Sequence, residues 1–225
     1  MNSILSLIKK DLKIEFRSKD TLLLYSVLGI LLSAVIASGV SSAFIDRASV
    51  KSLFPSLLWM VFILAGSFSV SKIQEFEFQH AAYQRLLVMK VDIWKMFISK
   101  VISGTIVISI GFAVSSTALS VLLNVPILSS VFGLAILGLL AAFGFASLSV
   151  LLSCIGLRSR MSSLLLPLMI LPLLFPMFFA LTELSSLYIL KEAGFFSSIW
   201  FTLLLGLDVL YAVLGAQLYQ FVLKD

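Results

Sequence analysis

Few side chains in this 225-residue sequence are suited to chemistry. There is one histidine, His80, and one cysteine, Cys154, so a metal site built from His and Cys ligands of a single chain is excluded. No Gly-x-x-x-x-Gly-Lys-Ser/Thr loop is present to hold the phosphates of ATP. No Ser/His/Asp triad or pair of catalytic carboxylates is recognisable. We therefore predict no catalytic residue and no metal site, and that the protein is not an enzyme.

One carboxyl group is unusual because of its surroundings. Asp208 lies in an otherwise apolar stretch, residues 205–211. An ionised side chain in the middle of a bilayer costs about 2.5 kcal/mol or more, so this group must face protein or water, or carry a proton. It is either a gate or latch between helices or a structural hydrogen-bonding group, and both interpretations stay open. Glu183, in a second apolar stretch, is the other candidate gate.

The elements that hold these residues follow from composition. Hydrophobic residues make up 60% of the chain and charged residues 12%, whereas a soluble domain carries about 25% charged residues. A bilayer core about 30 Å thick is crossed by about 20 apolar helical residues. Six stretches are long and apolar enough: residues 21–45, 52–71, 101–123, 127–157, 161–181 and 193–223. The fold class is therefore an all-α integral membrane protein with six transmembrane helices in one domain, 1–225.

The distribution of basic residues predicts the orientation. Thirteen Lys and Arg residues fall on one side of the six predicted spans, and only Arg47, Lys51 and Lys191 fall on the other. Because cytoplasmic flanks are enriched in Lys and Arg, both termini are expected in the cytoplasm. The division depends on breaking the charge-free stretch 101–157 at Asn124-Val125-Pro126, since Pro disfavours helix at the residue before it.

Two segments outside the spans have patterns of their own. Residues 1–20 alternate apolar and charged positions at helical spacing, which predicts an amphipathic helix in the membrane interface. Residues 72–100 are far longer than an ordinary connection between helices and mix charges with aromatics. This segment is either a cytoplasmic docking segment for a partner protein or a solvated extension of the two adjoining helices. The candidate docking residues are Glu75, Glu77, Tyr83, Arg85, Leu86 and Asp92.

The fifth span carries three prolines, Pro167, Pro172 and Pro176. Each removes a backbone donor and clashes with the preceding turn, so we expect a broken or bent helix, either static or part of a moving element. After it, residues 182–200 form two charge-bounded pieces that are each too short to span. They predict a re-entrant or interfacial hairpin on the outer face that overlaps the start of the last span.

Four stretches, in this order, resemble the CcmB family, the membrane permease of the cytochrome c maturation haem exporter. They are residues 10–20, the group Leu57-Leu58-Trp59 with Phe62 and Ala65-Gly66, the triple-proline span, and Leu207-Asp208-Val209 with the tail at 221–224. The likeness covers essentially the whole chain. It departs from the family pattern in the cytoplasmic loop, where Ala81 lies near an expected Gly and Lys90 replaces a Pro.

The resemblance implies a permease of the ABC-2 type (type V-like fold) in the bacterial inner membrane. A separate ATPase subunit would hydrolyse ATP and dock on the segment 72–100. The other implied partners are a haem-handling membrane subunit, a small single-span subunit, a periplasmic haem chaperone and a second copy of the chain. Haem is implied as a substrate of the complex and not as a cofactor of this chain. The complex would either export haem or release haem-loaded chaperone, and the lack of a His pair favours release.

Two rival functions remain. An ABC-2 permease exporting a lipid, glycan or drug would share the six spans, and a membrane scaffold without transport would need no ATPase. No nucleic-acid partner is expected, because the basic residues lie at membrane flanks.

Overall fold

The computed structural model describes residues 2–43, 45–80, 92–127, 130–159, 165–189 and 198–224. These residues form seven α-helices and no strand. The helices are α1 (Asn2–Ser18), α2 (Asp20–Ser42), α3 (Arg47–His80), α4 (Ile93–Leu122), α5 (Val131–Ser159), α6 (Leu165–Ile189) and α7 (Ile199–Lys224). The all-α prediction is confirmed.

Six of these helices, α2 to α7, contain stretches long and apolar enough to cross a membrane. The stretches are Asp20–Ser42, Arg47–Ser69, Ile93–Leu122, Val131–Leu152, Leu168–Ile189 and Ile199–Phe221. The predicted number of spans is therefore confirmed. Helices α3, α4 and α6 are longer than the charge-free stretches predicted for them, because a charged residue marks the edge of the bilayer and does not by itself end a helix.

The break between the third and fourth spans lies at the predicted tripeptide. Helix α4 ends at Leu122, and Asn124 adopts a left-handed conformation with φ of 54°, which asparagine tolerates better than most residues. The Ser120 hydroxyl donates to the Val125 carbonyl at 2.8 Å and so satisfies a polar group after the turn. Pro126 follows, and it cannot continue the hydrogen bonding of a helix.

The outer-hairpin prediction is corrected in its first part. Residues 182–189 continue α6 without interruption to Ile189, so the fifth span does not end at 181. This segment contains no Gly or Pro to break a helix, and the charge of Glu183 lies on an exposed face where it does not stop the helix. The remainder of the predicted hairpin, 190–197, lies outside the described residues.

Helix α1 packs lengthwise on α4. One half-buried stripe at helical spacing makes this contact: Ile4, Leu7, Ile8, Asp11, Leu12 and Glu15. The Ser99 hydroxyl of α4 lies 3.4 Å from a carboxylate oxygen of Asp11. Leu5 and Phe16, at the margin of the stripe, are 69% and 46% exposed. This amphipathic pattern suits the predicted interfacial helix, and its depth in a membrane stays a prediction.

Aromatic rings from four helices meet in the centre of the bundle. The rings of Trp59 (α3) and Phe112 (α4) stack with centroids 5.1 Å apart. Phe62 meets Phe112 and Phe145 (α5) edge to face, at 5.5 and 5.7 Å. The Tyr25 hydroxyl (α2) donates to the Phe62 carbonyl at 3.3 Å. Such pairs add about 0.5–1.5 kcal/mol each beyond burial, so this cluster fixes how α2 to α5 pack.

The start of α3 is capped by an exposed carboxylate. Asp46 accepts a hydrogen bond from the Ser49 hydroxyl at 2.6 Å and a longer one, 3.3 Å, from the Ser49 backbone N–H. These two bonds, the hydroxyl bond first, lower the pKa of Asp46 below its ordinary value because they stabilise the ionised form.

We expect Asp46→Ala to lower the thermal stability of the purified protein at neutral pH, because α3 loses its N-cap. Since the pKa of Asp46 is lowered on folding, the stabilisation is present above the unfolded pKa and is lost as pH falls through the folded pKa. The difference in Tm between wild type and variant should therefore shrink on acidification. Ser49→Ala should reproduce part of the loss. Equal Tm values at neutral pH would contradict the capping role.

Candidate functional site: a carboxyl buried among three membrane helices

The buried carboxyl group at the middle of the last span is Asp208. It lies near the centre of Ile199–Phe221 in α7 and is 3% exposed. Neither carboxyl oxygen has a hydrogen-bond partner among the described residues. An unpartnered polar group in such a place is costly, so its position requires a packing explanation.

A glycine on α5 provides the space for this carboxyl group. A Cβ atom at Gly144 would overlap the Asp208 Oδ1 atom and lie 3.0 Å from the terminal methyl of Met177 in α6. Helices α5, α6 and α7 therefore meet at one level, with the carboxyl group in a notch that exists because residue 144 has no side chain. We call Asp208, Gly144 and Met177 the carboxyl notch.

The charges around the carboxyl notch are sparse. Across residues 130–152, 168–189 and 198–221, which cover the described side chains of α5, α6 and α7, Glu183 is the one other acidic residue and there is no Lys, Arg or His. Among these described side chains, an ionised Asp208 would thus find no compensating cation. This arrangement favours a packing role over an ion pair with these side chains.

One turn along α7, Tyr211 ties the same helix to α6. Its hydroxyl donates to the Leu173 carbonyl at 2.5 Å. This carbonyl belongs to the turn that precedes Pro176, where the proline ring disturbs helical hydrogen bonding. In a membrane, disturbed backbone groups are tolerated when a neighbouring helix supplies a partner. Tyr211 supplies one here.

The second candidate gate, Glu183, does not join the carboxyl notch. Its side chain is exposed, whereas Asp208 is buried. Glu183 lies six residues after Met177 on α6. At about 100° and 1.5 Å per residue, its side chain leaves the helix about 120° away from that of Met177 and about 9 Å further along the axis. The structure therefore separates the two residues that the sequence grouped together.

The three prolines differ in their position. Pro167 is the third residue of α6 as described, and residues 161–164 before the helix lie outside the described residues. Pro172 and Pro176 lie inside α6, and the helix continues through both. Each of these two prolines removes one backbone donor, and the helix break or bend stays a prediction.

Most of the predicted docking residues lie where side chains are not described. Glu75 and Glu77 belong to the part of α3 beyond its membrane stretch, and Tyr83, Arg85 and Leu86 fall in 81–91, outside the described residues. Asp92 is exposed, stands at the N-cap position of α4 and forms an ion pair with Lys95. The docking assignment remains a prediction.

Sequence reasoning missed two contacts that hold this region together. The indole N–H of Trp59 donates to the buried Ser185 hydroxyl at 2.8 Å, which links α3 to α6. The second contact is the approach of Asp208 to Gly144. A signal was available for Gly144, because a glycine inside an apolar helix marks a close approach by another group.

We expect Gly144→Ala to destabilise the protein by about 1–3 kcal/mol, because the added methyl group overpacks the carboxyl notch. Gly206→Ala on α7 is the matched control, since a Cβ there meets nothing within 4 Å. Thermal unfolding in detergent micelles measures both variants. The double variant Gly144→Ala/Asp208→Ala should recover part of the loss. A Gly144→Ala protein as stable as Gly206→Ala would contradict the notch.

Comparison with known proteins identifies the family of the chain. The family model described as CcmB protein matches residues 2–220, nearly the whole chain. No curated protein is significantly similar to the chain. The match includes Trp59, Phe62 and Asp208, on which the sequence resemblance partly rested. The chain therefore belongs to the CcmB family and is a multi-pass inner-membrane component of a haem exporter for cytochrome c maturation.

Proposed function

We propose that this chain is the permease of an ABC transporter complex that serves cytochrome c biogenesis. A separate ATPase subunit hydrolyses ATP, and this chain couples hydrolysis to haem export or to release of haem-loaded chaperone. The observation that carries the proposal is the family match over residues 2–220 in a chain with six membrane-spanning helices and no phosphate-binding loop. A membrane component that lacks this loop depends on a partner for energy from ATP.

The length of α3 supports a mechanical route for coupling. The helix continues from its membrane stretch, which ends at Ser69, to His80, about 16 Å further. It therefore joins the predicted docking segment directly to the bundle. A push by a closing ATPase on residues 74–91 would tilt α3 as a rigid rod and act on α4, which begins just after that segment.

The Trp59–Ser185 hydrogen bond links α3 to α6. Because Ser185 lies on α6, a tilt of α3 at Trp59 acts on the proline-bearing helix. Helix α6 in turn contacts α7 at the carboxyl notch and at Tyr211. We propose that α6 and α7 are the elements that rearrange during the transport cycle. Pro172 and Pro176 make α6 easier to bend because two of its backbone hydrogen bonds are missing.

Between haem export and chaperone release, the residues favour release. The sequence contains one histidine, His80, and one cysteine, Cys154, so it offers haem no pair of imidazole ligands. In this proposal haem is a substrate handled by other subunits of the complex. Those partners are a haem-handling membrane subunit, a small single-span subunit and a periplasmic chaperone, with a second copy of this chain completing the permease. Both termini of the chain lie in the cytoplasm.

The two rival functions make different predictions. A permease for a lipid, glycan or drug would work without a haem chaperone, and a scaffold without transport would co-purify with no ATPase. To test the first rival, the complex is purified with its co-expressed partners and its absorbance spectrum is recorded. A haem spectrum supports the proposed function, and its absence supports the lipid, glycan or drug permease. Recovery of an ATPase in the same preparation would rule out the scaffold without transport.

We expect charge reversal at Glu75, Glu77 and Arg85 together to reduce co-purification of the ATPase subunit, since the docking surface would then carry the wrong charges. Lys51→Glu is the matched control, since this exposed residue lies at the opposite end of α3. The measurement is the ratio of ATPase to permease after affinity purification. An unchanged ratio in the triple variant would refute the docking assignment.

We expect Asp208→Asn to sustain cytochrome c maturation close to the wild-type level, because asparagine is similar in size to aspartate and the described side chains of α5, α6 and α7 include no cation to pair with it. The assay is the amount of holo-cytochrome c in cells that carry the variant in place of the wild type. Complex assembly is checked by ATPase co-purification. If maturation fails although the complex assembles, the ionisable group itself takes part in the mechanism.

A further inference from the structure

Helix α6 leaves one continuous face uncovered. The residues of this face recur at helical spacing and are all exposed: Leu168, Pro172, Phe175, Pro176, Phe179 and Glu183. Leu168, Phe175 and Phe179 are 64%, 58% and 54% exposed. The opposite face of the same helix is buried against the bundle, as Leu174 and Leu184 show. We call the exposed set the proline face.

The proline face carries hydrogen-bond acceptors that lack their usual donors. Pro172 has no N–H for the Leu168 carbonyl, and Pro176 has none for the Pro172 carbonyl. Both carbonyls belong to residues of the proline face. The neighbouring Leu173 carbonyl, on the side turned toward α7, receives the Tyr211 hydroxyl instead. The bundle thus provides a side-chain donor on the inner side of α6, whereas on the outer side the prolines remove the usual backbone donors of two carbonyls.

Glu183 adds a third acceptor to the same face. It lies six residues, about 9 Å, before the end of α6 at Ile189. Hydrocarbon chains of lipid donate no hydrogen bonds and compensate no charge. A row of two backbone carbonyls and one carboxylate on a lipid-facing surface therefore calls for a neighbour that carries donors.

We propose that the proline face binds a transmembrane helix of another protein of the complex. That helix carries a Lys or Arg side chain opposite Glu183 and polar donors opposite the Leu168 and Pro172 carbonyls. Phe175 and Phe179, whose rings lie 6.4 Å apart, are the apolar anchors between these two levels. This inference rests on the proposed function in one respect: other membrane proteins must assemble with this chain.

A second copy of this chain is a poorer occupant. A twofold symmetric contact through the proline face would bring Glu183 opposite Glu183 and carbonyls opposite carbonyls. Such a contact supplies no donor and sets like charges against each other. Charge complementarity therefore points to a different chain.

The first test is photo-crosslinking in membranes that contain the complete complex. A benzoylphenylalanine residue replaces Phe179 in one variant and Phe175 in another, which is a mild change for an exposed ring. The controls carry it at Val35 on α2 and Val209 on α7, which are 67% and 61% exposed. We expect a protein adduct at 179 and 175, with one other membrane protein of the complex as its partner, and none with that protein at 35 and 209.

Mass spectrometry of the adduct identifies the partner helix and its residues. A helix with Lys or Arg near the Glu183 level supports the proposal. An adduct with a second copy of this chain, an adduct with lipid alone, or a partner helix without a basic residue overturns it.

The second test reverses the charge. Glu183→Lys should lower recovery of that membrane protein about tenfold or more, because like charges then face one another. Changing the basic residue of the partner helix to Glu should restore recovery. Glu183→Gln, which keeps the shape and removes the charge, should give an intermediate loss. Unchanged recovery in Glu183→Lys overturns the proposed pairing.

The ATPase subunit is quantified in the same preparations. If the ATPase co-purifies and the proline face gives no adduct with another membrane protein, this inference fails and the proposed function stands. If the ATPase never co-purifies although the adduct forms, the proposed function fails and the binding of a partner helix to the proline face stands.

Discussion

A polar group inside a bilayer must find its partner within protein, and this constraint explains the main contacts of the bundle. The lipid interior provides neither donors nor acceptors, so each polar side chain between the helices has to meet another polar group or a close-packed wall. The Trp59 indole is satisfied by Ser185, and the Tyr211 hydroxyl by the Leu173 carbonyl. The Ser33 hydroxyl, buried on α2, turns back to the Gly29 carbonyl of its own helix at 2.7 Å.

The same constraint makes the exceptions informative. Asp208 lies beside Gly144 and Met177 without a hydrogen-bond partner among the described residues, and the acceptors of the proline face belong to exposed residues of α6. A static core would have little reason to keep either feature, since apolar residues pack at lower cost. These features lie on α6, which α3 contacts through Trp59, and on α7, which packs against α6; movement and contact with other subunits are proposed there.

Several features were predictable because they depend on local sequence. The six spans follow from apolar length, and the turn at Asn124-Val125-Pro126 follows from the conformational preferences of asparagine and proline. The predicted ends of the spans were less accurate, as α6 shows by continuing to Ile189. Helix α6 also continues through Pro172 and Pro176. Whether a charge or a proline ends a helix depends on how the helix packs against its neighbours, and the sequence does not show this packing.

The sequence by itself determined that the chain is a helical membrane protein with one unusual carboxyl group, because hydrophobic length and isolated charge are properties of consecutive residues. Tertiary structure alone decided which residues meet across helices. Gly144 is separated from Asp208 by more than sixty positions, and Trp59 from Ser185 by 126, so only the packing of the bundle brings each pair together. It also decided that Glu183 faces outward while Asp208 faces inward, because the rotation of each helix is set by the neighbours against which it packs.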